Sequence, residues 1–70
     1  MNALKVAFVV DSLVNGADYD AEEVVKFLRM RMSAVSPQEL RTGLAAARLD
    51  PFADRAFLDE VEAILIPSKA

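Results

Sequence analysis

A chain of 70 residues with no Cys and no His cannot form disulfides, and it lacks the commonest general base and the strongest common nucleophile. Its length implies one domain, residues 1 to 70, burying only about 60% of the surface the unfolded chain exposes; 54% hydrophobic residues are more than one such core can hide, so self-association is expected. A net charge of −3 disfavours generic nucleic-acid binding, and Lys5 and Asp11 bracket the longest apolar run, well short of the roughly 18 residues of a membrane span.

Ala3 to Asn15 fits either a helix or a strand. Asn2 suits an N-cap and Gly16 a left-handed terminator, whereas Leu4, Val6, Phe8 and Val10 alternate with Lys5, Ala7, Val9 and Asp11 as on a pleat. The two end signals favour the helix. Val6, Val10, Leu13 and Val14 then form one stripe while Leu4 and Phe8 project on the opposite side. As a strand the segment would stand alone in the chain and pair with another copy. Both forms call for a partner, and Leu4, Val6, Phe8 and Val10 are the expected homodimer interface.

The second element runs from Ala21 to about Ala34, with Asp20 as its cap, Glu22 and Glu23 at the positive end of its dipole and Arg29 and Arg31 in its last turns. Val24, Val25, Phe27, Leu28, Met30, Met32 and Val35 cover well over half its circumference, the pattern of a central helix. Arg31 falls inside that apolar arc, where an unpaired charge is costly. It requires an acid, an interface, or a stem that snorkels to water.

Ser36-Pro37-Gln38-Glu39 is a capping box with proline at the first helical position. The helix it starts runs to about Leu49 and buries Leu40, Leu44 and Ala47; Gly43, Ala46 and Ala47 allow a neighbouring helix to come close. Asp50-Pro51 repeats the start signal for a fourth helix, about Pro51 to Ile66, which Pro67 ends. Its expected buried stripe is Ala53, Phe57, Leu58, Val61, Ile64 and Leu65, with Arg55, Asp59 and Glu62 outside. Arg55 and Asp59 sit one turn apart. The expectation is an all-α bundle of three or four short helices, dimeric, with fraying at Met1-Asn2 and Ser68-Lys69-Ala70.

Nothing in the chain encodes a recognisable chemistry. Asp18-Tyr19-Asp20 and Asp59-Glu60-x-Glu62 do not match a calcium loop. The four serines lack a neighbouring base, and the two glycines form no phosphate loop. No catalysis, cofactor or metal is expected, and a single chain this small is expected to lack a pocket of about 300 Å³. Met1 to Lys5 carry one lysine, with no Ala-x-Ala-like cleavage site after the apolar stretch, so a cytoplasmic location is expected.

Charge is segregated along the chain. Lys26, Arg29, Arg31, Arg41 and Arg48 face only Glu39 in the middle third, and acids crowd both ends. Such a distribution suits docking on a partner. Small one-domain chains without a site commonly act by covering another protein's working surface, as adaptors, antitoxins, anti-activators or phage-encoded inhibitors. Arg31 is the expected anchor, and Asp18, Asp20, Glu22 and Glu23 would meet a basic partner. The alternative is a helix-turn-helix regulator in which Gln38, Arg41, Thr42, Ala45 and Arg48 of the third helix read the major groove of DNA.

Overall fold

Residues 2–65 are described by a computed structural model. They form an all-α bundle: α1 (Ala3–Asn15), α2 (Ala21–Met30), α3 (Pro37–Arg48) and α4 (Arg55–Leu65), with one 3₁₀ turn, Gly16–Asp18, between the first two. The strand alternative for residues 3 to 15 is thereby overturned. Asn2 is extended, and its side chain accepts from the Leu4 and Lys5 amides. That start satisfies donors a helix otherwise leaves orphaned.

The helices pair out of chain order, α1 lying chiefly along α3 and α2 along α4. Both α1 and α3 start at the same end of the molecule, because Glu39 of α3 reaches the backbone amide of Asn2 at 2.7 Å. Halfway along, Gly43 lets them approach so closely that a Cβ there would stand 2.5 Å from Val9 Cγ1. The α2–α4 pair ends together, where Arg29 donates to the Ile64 carbonyl at 3.4 Å. Between the layers lie the fully buried Val9, Leu13, Val25, Leu28, Leu58 and Val61, the burial of each contributing on the order of 1.5–3 kcal/mol.

The capping box at Ser36 is present in both halves: Ser36 Oγ accepts from the Glu39 amide, and Glu39 Oε1 accepts from the Ser36 amide at 2.8 Å. Other boundaries differ from expectation for local reasons. Gly16 has φ −82°, so it is no left-handed terminator; the chain continues into a 3₁₀ turn, and the small residue is needed where a Cβ would come within 3.0 Å of Val24 Cγ2. Helix α2 stops at Met30, not near Ala34, and a turn closed by the Arg31 carbonyl carries Val35 into the core. Asp20 makes no side-chain capping bond.

Helix α4 begins at Arg55, because Asp50-Pro51 makes a tight turn in which Asp50 Oδ1 accepts from the Phe52 amide. Asp54, accepting from the Phe57 amide at 3.1 Å, performs the capping. Nor is α2 a central helix: Phe27, Met30 and Met32 stay on the surface. The expected ends at Met1 and at Ile66 to Ala70 lie outside the described residues.

Candidate functional site

Helices α1 and α2 meet at a corner turned by the 3₁₀ segment, and their contact there is sparse. The corner therefore stays open on one side. Its outer edge is aromatic: the rings of Phe8 and Phe27 lie 5.7 Å apart at 46°, a tilted arrangement. Over both sits the guanidinium of Arg31, 5.6 Å from the Phe27 ring centre and 6.0 Å from that of Phe8. This stacking is how Arg31 is accommodated inside an apolar arc, since a cation is attracted to an aromatic face. The side chain remains exposed, and no carboxylate among the described residues pairs with it.

Beside Phe27 the corner opens into a cleft of about 380 Å³ lined by Asp11, Ser12 and Asn15 of α1, Gly16 and Tyr19 of the turn, and Glu23, Val24 and Phe27 of α2. The chain alone thus builds a concavity larger than the one a single chain of this size was expected to lack. Helical spacing explains the lining, because 11, 12 and 15 share one face of α1 while 23, 24 and 27 share one face of α2. Asn15 Nδ2 donates to Asp11 Oδ1 at 2.7 Å, which holds that carboxylate at the rim. Ser12 is turned back on its own helix, donating to the Phe8 carbonyl at 2.8 Å.

The expected interface residues of α1 divide. Leu4 is 81% exposed, whereas Val6, Phe8 and Val10 are half-buried, Phe8 and Val10 packing on the chain's own core. The second apolar side of α1 is therefore covered in part by α2. Asp18, Asp20, Glu22 and Glu23 are all exposed around the 3₁₀ turn and the start of α2, but of these only Glu23 lines the cleft. No three carboxylates among the described residues converge on a metal-binding spacing.

The groups proposed to read DNA are less united. Gln38 and Arg41 are exposed and Thr42 half-buried on α3. Arg48 instead bridges α3 to α4, bonded to Asp59 Oδ1 at 2.8 Å and to Glu62. Asp59 therefore pairs with α3 and not with Arg55, one turn away. Moreover, α2 and α3 make at most marginal contact, while in a helix-turn-helix the two consecutive helices pack on each other to present the second.

Glu39 carries a role that its sequence position only half reveals. Besides closing its own capping box it accepts from the Asn2 amide, so one buried carboxylate ties the starts of α1 and α3. The Ser36 amide, then the Asn2 amide, hold its pKa below the ordinary carboxylate value. This is a structural anchor, remote from the cleft. The aromatic stack and the Tyr19 cleft were not foreseen as units, because they depend on the angle at which α1 and α2 meet. No protein family, curated protein or solved structure matches this chain.

Proposed function

We propose that this is a non-catalytic interaction protein that acts by binding and covering a partner protein, in the manner of an inhibitor, anti-activator, antitoxin or adaptor. The observation that carries the reading is the stack of half-buried Phe8 with exposed Phe27 and Arg31 beside an open cleft. Aromatic residues and arginine dominate the energetics of protein interfaces, because large rigid groups bury much area for little lost entropy. Phe27 keeps 40% of its surface in water and Met30 keeps 74%, apolar area that a partner would remove from solvent.

The expected homodimer would centre on Leu4, the most exposed of the four, since Phe8 and Val10 pack on the chain's own core. Light scattering across a concentration series decides it. The wider reading is tested by crosslinking the full chain to its partner in host extract through a photoreactive group at Met30. A discrete protein adduct, lost on Phe27→Ala, supports it. Binding of random duplex DNA that weakens steeply with salt and vanishes on Arg41→Ala would overturn it.

A further inference from the structure

We infer that the α1–α2 cleft receives a basic amphipathic segment of the partner, one apolar side chain entering the cleft and flanking Lys or Arg side chains meeting Asp11 and Glu23. The inference rests on the proposed role in protein binding and names the chemistry of what is bound. Two properties of the cleft carry it. Its apolar lining includes Gly16, Val24, Tyr19 and Phe27, and among the described residues its only ionisable side chains besides Tyr19 are the carboxylates of Asp11 and Glu23.

No cation lines it. Among the described residues Glu23 has no ion-pair partner, and Asp11 uses one oxygen on Asn15 and leaves the other free of protein hydrogen bonds. Asp18 and Asp20, which flank Tyr19 in the chain and are exposed, carry the same sign of charge. An anionic rim around an apolar floor disfavours an acidic segment through like-charge repulsion and favours a cationic one. The volume of about 380 Å³ admits one large aliphatic or aromatic side chain with room for its neighbours. A helix bearing an apolar anchor with lysines one turn to either side places its charges at the rim while the anchor is inserted. Arg31 stacks over Phe27 and is not among the residues lining the cleft.

Tyr19 is the only tyrosine, there is no tryptophan, and it lines the cleft at 64% exposure. Its emission therefore reports occupancy without a label. The probes are three short helical peptides without aromatic residues other than Phe: a Leu anchor with Lys at i−4 and i+4, the same peptide with Glu in place of Lys, and the Lys peptide with Ala as anchor. Titration into the full chain is followed by Tyr19 fluorescence and by backbone amide shifts.

The first peptide should bind, shifting amides from Asp11 to Phe27. Affinity should fall by about tenfold or more for each of the other two, and by about tenfold in Asp11→Asn/Glu23→Gln. Equal binding of the Glu peptide, shifts confined to α3, or no binding by any peptide overturns the inference. Tyr19 changes that follow the protein's own concentration assign the cleft to a second copy and also overturn it. A partner adduct through Met30 alongside a failed peptide series would leave the protein-binding role standing, whereas loss of both would remove the two together.

Discussion

Replacing Gly43 with alanine sets two opposing effects against each other at the closest approach of α1 and α3. Alanine is favoured over glycine inside a helix by about 0.8–1 kcal/mol. Its Cβ, however, would stand 2.5 Å from Val9 Cγ1 and 2.7 Å from Val9 Cβ, where carbon atoms rest at about 3.5–4.0 Å. The helices must part by about 1 Å, because Val9 Cβ is fixed to the backbone and cannot rotate away. Such overpacking costs about 1–3 kcal/mol, and separation also loosens the packing of α1 on α3. The expected outcome is a net destabilisation of about 1–2 kcal/mol, a drop of roughly 5–15 °C in Tm for a domain this size. Thermal unfolding followed by circular dichroism measures it, with Gly43→Ala/Val9→Ala recovering part of the helix-propensity gain at the expense of a smaller core. A Tm unchanged or raised in Gly43→Ala would show that α1 and α3 do not meet at this point.

Three further outcomes follow from the same framework. Ser36→Ala removes the cap at which α3 begins and should cost about 0.5–2 kcal/mol in denaturant titration, without altering partner binding. Because the pKa of Glu39 is lowered in the folded state, its contribution is present above the ordinary carboxylate value and is lost as pH falls through the lowered one; the stability gap between the native chain and Glu39→Gln should be widest near neutrality and close in acid. A gap independent of pH would refute that linkage. Arg48→Met removes a partly exposed bridge to Asp59 and Glu62, so it should cost only about 0.2–1 kcal/mol and less as salt is raised in thermal melts.

The parts of the fold that local chemistry specifies were legible in the sequence. Ser36, Pro37 and Glu39 mark the start of α3 through groups adjacent in the chain, and Asn2 does the same for α1. Gly43 and Ala47 announced a close helix contact before its partner was known. Competing local signals misplaced other boundaries: Asp50 and Asp54 both suit a cap, and only the packing of Phe57 and Leu58 selects the second. Likewise the apolar run through Met32 reads as continuous helix, although the helix ends at Met30 and a turn carries Val35 into the core. The candidate site was legible as separate residues. Phe8 and Arg31 each stood out against their patterns, but that one covers the other follows from a contact between residues 23 positions apart. Tyr19 gave no signal, since a lone aromatic in a polar turn acquires meaning only from the helices on either side.

The central claim is that the α1–α2 face, and not α3, engages a partner protein. Its most direct test is the dissociation constant of the crosslinked partner, once purified, measured by calorimetry for four single variants: Phe27→Ala, Arg31→Ala, Arg41→Ala and Phe52→Ala. Phe27 and Arg31 share the stacked surface, while Arg41 and Phe52 lie exposed on α3 and on the turn that follows it. The expected losses are about 2 kcal/mol, roughly 30-fold in affinity, for each of the first two and less than about 0.5 kcal/mol for the others. Undiminished binding by Phe27→Ala and Arg31→Ala, with the loss falling on Arg41→Ala or Phe52→Ala, would contradict it.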